Sequence, residues 1–118
     1  MSRSQGSGGF QADRPRLIAE LWDYLQAWEE LLQRGQVSSA RWGALPLRSE
    51  GLQARARAVG FGGIALHLGE LSRLVDAGEH NVAALRDRLQ VVTELVGQAR
   101  LALTDAERRE LDAARAAI

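Results

Sequence analysis

The chain has 118 residues, enough for one domain with a single hydrophobic core and too few for two. Its 15 basic residues, all of them arginine, balance 15 acidic ones, so no net charge draws the protein to nucleic acid or to an anionic membrane. Because cysteine is absent, disulfides, thiolate nucleophiles and cysteine-based zinc sites are excluded.

The chain opens on a Gly- and Ser-rich segment, residues 1–12, which we expect to be a flexible tail ahead of one domain over residues 13–118. This segment has no apolar run of the signal-peptide type. No later segment reaches the roughly 18 apolar residues of a membrane span. The sequence therefore predicts a cytoplasmic protein that does not contact a membrane.

The first predicted helix begins at Asp13, an N-cap residue, has Pro15 in its first turn and ends at Gly35. Apolar residues three and four positions apart mark its buried face: Ile18, Leu21, Leu25, Trp28 and Leu32. Trp22 widens the apolar surface beyond that face. Two uses remain open for the tryptophans of this helix, packing in the core or forming an interface.

The second predicted helix begins near Ser49, whose side chain can cap it, after a packed loop over residues 36–47. The positions expected to face inward are Leu52, Ala56, Val59 and Gly63. Arg57 then points away from the core. The residues expected one turn to either side of it, on the same exposed face, are Gln53, Gly60 and Phe61.

Four glycines, at positions 60, 62, 63 and 69, follow closely, and each costs about 1 kcal/mol relative to alanine inside a helix. Two explanations remain open: a neighbouring helix comes close, or the chain turns and starts a new helix. A third helix is expected to end at Gly78. Its apolar positions are Leu68, Leu71, Leu74 and Val75.

The fourth predicted helix, capped by Asn81, has the longest apolar stripe: Val82, Leu85, Leu89, Val92, Val96, Ala99 and Leu103. Thr104 and Glu107 have the spacing of a capping box, which predicts a fifth helix containing Leu111 and Ile118. The pattern also fits one helix bent at Thr104. The predicted fold class is all-α, an up-and-down four-helix bundle with an additional or extended C-terminal helix.

The stretch from Ala56 to Leu74 resembles the active helix of histidine-containing phosphotransfer (HPt) domains. That family has the pattern Ala-His-x-Leu-Lys-Gly, then Leu-Gly, then a Leu-x-x-Leu helix. The matching positions are Ala56, Val59 for the leucine, Leu66 for the next leucine, and Leu71 with Leu74 for the last helix. Arg57 stands at the histidine, Gly60 at the lysine and Phe61 at the first glycine. The resemblance implies a helical bundle and a degenerate site.

In an HPt domain, an exposed imidazole takes a phosphoryl group from a receiver aspartate and passes it on, beside a lysine that offsets the charge. Arg57 cannot replace that imidazole, because its guanidinium stays protonated and has no lone pair for attack. Gly60 supplies no counter-charge, and Phe61 fills the space that the family's glycine leaves open. We therefore expect no phosphotransfer at this position.

No other enzyme site is predicted. His67 lies between apolar neighbours and is expected to be structural, and His80 precedes a helix start and is expected to be solvated. Neither has the spacing of a metal site, and no phosphate-binding loop is present. The acidic pairs are expected to be solvated helix residues. We therefore predict no enzymatic activity, no cofactor and no metal.

Residues 36–60 contain four arginines against the single acid Glu50, a local charge of about +3 by direct count. With the HPt resemblance, this charge predicts docking on a receiver domain or another two-component signalling protein, without phosphate transfer. The predicted partner-binding residues are Gln53, Arg57, Gly60, Phe61, Arg48 and Arg55. Two alternatives stay open: a self-associating scaffold or adaptor bundle, for example a homodimer, and an ancillary domain of a longer regulator.

Overall fold

Five α-helices make up the computed structural model, which describes residues 2–33, 44–77 and 82–117. They are α1 (Ser2–Gln33), α2 (Ala44–Ala58), α3 (Gly62–Asp76), α4 (Val82–Leu101) and α5 (Asp105–Ala117). No strand occurs in these ranges, so the all-helical prediction is confirmed. The long dimension of the molecule is 49 Å. The 32 residues of α1 account for it, since a helix rises about 1.5 Å per residue.

The helices enclose one core, in which α1 is central. It packs against α2, α4 and α5, while α3 packs against α2 and α4. The largest fully buried side chains, Trp28 and Tyr24, both belong to α1. The predicted inward face of α1 is confirmed, because Ile18, Leu21, Leu25, Trp28 and Leu32 are all buried. α1 thus supplies the surface on which α2, α4 and α5 pack.

The start of α1 differs from its prediction. The helix begins at Ser2 rather than at Asp13, and Pro15 lies inside it. Pro15 has no N–H, so one backbone hydrogen bond of the helix is missing there. Once a helix is nucleated, each added residue forms one more hydrogen bond, so a helix can continue into polar residues. The division into a tail and a domain stays a prediction, and Gly35 lies outside the described residues.

α2 also begins earlier than predicted. It starts at Ala44, with Pro46 in its first turn, where a proline N–H would have no partner in any case. Ser49 is therefore not a cap but a fully buried residue inside the helix. Of the four positions predicted to face inward, Leu52 and Ala56 are buried and Val59 is half-buried. The prediction is wrong for Gly63, which is exposed at the start of α3, because α2 ends at Ala58. Of the predicted loop, residues 36–43 lie outside the described part of the chain.

The chain turns sharply between α2 and α3. The N–H of Phe61 donates to the carbonyl of Ala56 at 2.7 Å, and that of Gly60 to the carbonyl of Arg57 at 3.2 Å. These are the two bonds of a Schellman motif, which requires a left-handed residue at the position of Gly60. Gly60 has φ 88°, which glycine adopts without steric cost. The turn explanation is therefore correct for this glycine.

Close approach explains a second glycine. A Cβ built on Gly69 would lie 3.2 Å from Oε1 of Gln53, tighter than most such contacts, so the missing side chain lets α2 and α3 come together. At Gly63 the nearest atom, in Leu95, would be 3.8 Å away, which is an ordinary contact. Both explanations for the glycines therefore hold, at different positions.

The last two helices agree with the sequence prediction. The buried residues of α4 are Leu85, Leu89, Val92 and Val96. The Thr104 N–H donates to Glu107 Oε1 at 3.0 Å and the Glu107 N–H to Thr104 Oγ1 at 3.1 Å, which confirms the capping box. α4 ends at Leu101, so the alternative of a single bent helix is wrong. Leu111 is buried, whereas Gly78, Asn81 and Ile118 lie outside the described residues.

Candidate functional site

Arg57 and Gly60 are two exposed residues of the predicted site that lie where α2 meets α3, and we call them the α2–α3 corner. Arg57 lies in the last turn of α2, where a cation is favourable for the helix dipole. Its side chain is exposed, and among the described residues it has no ion pair or hydrogen bond. Gly60 follows in the turn and is also exposed. The corner therefore offers one guanidinium beside a residue without a side chain.

Phe61 is half-buried and packs against the core, so its predicted exposure is wrong. The reason is the Schellman turn, which directs the residue after its glycine back toward the helix. The guanidinium carbon of Arg14 lies 5.7 Å from the centre of the Phe61 ring, a cation–π contact. Arg14 Nε is also 3.6 Å from Glu107 Oε2 of α5. Arg14 thus connects the turn to α1 and α5.

Arg48 and Arg55 form ion pairs with carboxylates of α1. Arg48 Nη2 lies 3.0 Å from Asp23 Oδ2, and Arg55 pairs with Glu20. Both pairs are partly exposed, so each stabilises the fold by at most about 1 kcal/mol. Each arginine nevertheless already has a carboxylate partner within the protein. Arg48 also lies over the Tyr24 ring, 5.6 Å from its centre. These two residues are therefore positioned by α1.

The local positive charge predicted from the sequence is offset in the structure. Of the described arginines in residues 36–60, Arg48, Arg55 and Arg57 carry +3, while Glu50 and the two α1 acids that pair with them carry −3. Arg41 lies outside the described residues. A count over neighbouring residues in the chain misses these acids, because they come from another helix.

Gln53 belongs to a polar cluster between helices rather than to an exposed face. Its Nε2 donates to Ser49 Oγ at 3.0 Å, and Ser49 Oγ lies 2.9 Å from Ser72 Oγ of α3. Gln53 is half-buried, so its predicted exposure is also wrong. The contact with α3 explains this, because a Cβ on Gly69 would lie only 3.2 Å from Gln53 Oε1.

Tyr24 of α1 completes the polar cluster. Burial raises the pKa of its hydroxyl above the ordinary value of 10.0. Hydrogen bonds with Trp28 and Ser49 and the positive charge of Arg48 act in the opposite direction but do not cancel this effect. Tyr24 is therefore held in its neutral form, and the sequence contains no signal that would have placed it in this cluster.

His67 belongs to α3, is half-buried and contacts Arg88 of α4, as expected of a structural histidine. Arg88 Nη1 is 3.0 Å from its Nδ1 and 2.8 Å from Glu70 Oε2. Arg88 of α4 therefore connects that helix to His67 and Glu70 of α3. His80 lies outside the described residues.

Neither a metal centre nor a membrane span is found in the described ranges. Within them, no three His, Cys, Asp or Glu residues lie close enough together to hold a metal ion. No helix there is long and apolar enough to cross a membrane.

No protein-family model, no curated protein and no solved structure matches the chain. What the site can do therefore rests on its own chemistry. Arg57 can donate paired hydrogen bonds to a carboxylate or a phosphoryl group, but it cannot attack either.

Proposed function

We propose that this chain is a non-catalytic, HPt-like helical bundle that docks on a receiver domain, or another protein of two-component signalling, without transferring phosphate. One observation carries the proposal. Arg57, at the position of the family's histidine, is exposed and has no internal partner in the described part of the chain. Arg48 and Arg55, in contrast, are paired with α1. We therefore limit the direct contact to Arg57 and the turn beside it.

The chemistry of the corner supports binding rather than reaction. A receiver domain has an acidic pocket around its phosphorylated aspartate, and a guanidinium pairs with carboxylate or phosphoryl oxygens through two parallel hydrogen bonds. Gly60 has no side chain to hold the partner away. Arg57 itself cannot attack phosphorus, so the phosphoryl group stays on the partner.

The same proposal includes the finer arrangement of the fold, an up-and-down bundle with α5 as the additional helix. The three-residue turn between α2 and α3, and the equally short link between α4 and α5, favour helices that reverse direction. HPt domains have this architecture. Architecture alone does not establish function, so the proposal depends on a binding experiment.

The experiment measures the affinity of purified receiver domains, phosphorylated and unphosphorylated, for the wild-type chain and for Arg57→Glu. We expect charge reversal to weaken binding at least tenfold, which corresponds to about 1.4 kcal/mol. Arg109→Ala is the control, because Arg109 is exposed on α5. It should change affinity less than about twofold. Equal affinities for wild-type and Arg57→Glu, with helical content unchanged, would contradict the proposal.

Self-association is the second candidate, favoured by two exposed leucines, Leu66 at 58% and Leu101 at 73%. The predicted Trp surface does not support it, because Trp28 is buried and Trp22 is covered by Arg100 and Arg115. Sedimentation of the wild type over a concentration series should then show a dimer that Leu66→Ser or Leu101→Ser weakens. A monomer at every concentration would exclude this candidate.

A further inference from the structure

Arg14 of α1 contacts both the α2–α3 turn and the start of α5. Its guanidinium carbon is 5.7 Å from the centre of the Phe61 ring, and its Nε is 3.6 Å from Glu107 Oε2. Phe61 directly follows Gly60 of the α2–α3 corner, and Glu107 lies in the first turn of α5. One side chain therefore connects two places where the chain begins a new helix.

Glu107 is fixed at one oxygen and faces Arg14 with the other. Its Oε1 accepts the Thr104 N–H at 3.0 Å, and its side chain is only 10% exposed. Its Oε2 and Arg14 Nε are both buried, and neither has a hydrogen bond within the described part of the chain. A buried charge is costly unless an opposite charge compensates it. The Glu107 carboxylate therefore holds the Arg14 guanidinium beside it.

Phe61 is the residue through which Arg14 reaches the corner. It is the N-cap residue of α3 and makes no side-chain capping hydrogen bond. Its N–H donates to the Ala56 carbonyl at 2.7 Å, and its carbonyl accepts the Ala65 N–H at 3.1 Å, so its backbone joins both helices. Lack of a capping side chain costs a helix about 1 kcal/mol. The contacts of the Phe61 ring with Arg14 and the core therefore matter for its placement.

α5 is held in place mainly by α1, against which it packs. Among its described residues, Leu111 is the one large apolar side chain that is fully buried. An isolated helix of 13 residues is marginal in water, so α5 depends on this packing. Elements with few buried apolar contacts open locally before the whole protein unfolds. When α5 opens, Glu107 moves away from Arg14.

We propose that Arg14 positions the α2–α3 corner and that α5 controls this position through Glu107. With α5 packed on α1, the Glu107 carboxylate holds the Arg14 guanidinium against Phe61. The turn then keeps Gly60 and Arg57 in place. With α5 open, Arg14 loses its counter-charge, and an uncompensated cation beside the N-terminus of α3 is unfavourable for the helix dipole. The turn loosens, so α5 acts as a switch for the corner.

The effect of this switch on a partner rests on the proposed function, because it requires that the corner docks on a receiver domain. The coupling between α5 and the turn does not depend on it. Failure of the two proposals is therefore distinguishable. If no receiver binds the wild-type chain, the proposed function is contradicted, whereas amide exchange at the turn still measures the coupling.

Amide hydrogen exchange at Phe61 tests the coupling, since this N–H closes the turn. The Val92 N–H, in the buried part of α4, is the reference, and the ratio of the two rates corrects for changes in global stability. Glu107→Gln keeps the capping box, which accepts Glu or Gln, but removes the charge that holds Arg14. It should raise the ratio at least about fivefold, which corresponds to about 1 kcal/mol. Glu110→Gln, the same change at an exposed position of α5, should alter it less than about twofold.

The Arg14→Gln background shows whether Arg14 is the link. There Glu107→Gln should no longer raise the ratio, because the guanidinium that carries the effect is absent. Leu111→Ala loosens α5 without changing either charge, and it should raise the ratio only when Arg14 is present. The proposal is overturned by an unchanged ratio in Glu107→Gln or Leu111→Ala, by an equal rise in Glu110→Gln, or by a full effect in the Arg14→Gln background.

Discussion

Tyr24, the only tyrosine of the chain, belongs to the polar cluster with Ser49, Gln53 and Ser72. Its hydroxyl hydrogen-bonds with Ser49, which reaches Ser72 and Gln53 in turn. This network connects α1, α2 and α3 through buried and half-buried polar side chains. A buried group of this kind is costly to leave unpaired, so it favours one relative placement of the three helices.

The raised pKa of Tyr24 predicts a loss of stability at alkaline pH. Because the folded protein holds the phenolic proton more tightly than the unfolded chain, this contribution is fully present below the ordinary pKa of 10.0 and is lost as pH rises above it. Ultraviolet titration should place the tyrosinate transition of the native protein above that of the denatured chain. In Tyr24→Phe the associated decline in unfolding free energy should be absent. A native transition at or below the denatured one would contradict this account.

We predict that a side chain at Gly60 strains the backbone of the α2–α3 turn. Gly60→Ala should destabilise the protein by about 1 kcal/mol, because alanine is strained at the positive φ of this position. Gly62→Ala is the matched control, since a Cβ there meets nothing within 4 Å and the φ is ordinary. It should be neutral or stabilise by up to about 1 kcal/mol. Urea unfolding that shows the same loss for both variants would rule out the turn as the cause.

At the scale of the elements, α5 depends on its capping box. Thr104→Ala removes the hydroxyl that accepts the Glu107 N–H and should lower the free energy of unfolding by about 1 kcal/mol. Thr93→Ala is the control, because the Thr93 hydroxyl only donates to the Leu89 carbonyl within its own helix. We expect a change below about 0.5 kcal/mol there. If urea unfolding showed the same loss of unfolding free energy for Thr104→Ala and Thr93→Ala, the capping box would not be what stabilises α5.

The capping box and the stripe of α4 could be predicted because both are local signals. Thr104 and Glu107 are three residues apart, and Leu85, Leu89, Val92 and Val96 repeat every three or four residues. The starts of α1 and α2 could not be predicted in the same way. Asp13 and Ser49 are good cap residues, but hydrogen bonds of a continuing helix compete with a cap. Ser49 instead bonds with Ser72 of α3, a tertiary contact that the local sequence does not reveal.

The α2–α3 turn was predictable only as one of two alternatives. Glycine permits both a left-handed turn and a close helix contact, and the sequence does not distinguish the two uses. The structure assigns the turn to Gly60 and the close contact to Gly69. The same two features explain why Phe61 and Gln53 were wrongly predicted to be exposed. The turn directs Phe61 toward the core, and the close contact with α3 places Gln53 between helices.

At the scale of the whole molecule, the site depends on which surfaces the fold brings together. Sequence reasoning correctly placed Arg57 on the outside, because it needs only the helix period of α2. It could not foresee that Glu20 and Asp23 would meet Arg55 and Arg48, since these contacts join α1 to α2.

The most direct measurement of the central claim uses receiver domains that carry a labelled phosphoryl group on their aspartate. They are incubated with the chain, and complex formation and the location of the label are followed in the same samples. We predict a complex in which the label stays on the receiver, and a weaker complex with Arg57→Glu. Label on this chain would contradict the account by revealing an active phosphotransfer group, and the absence of a complex with any receiver would contradict it by removing the partner.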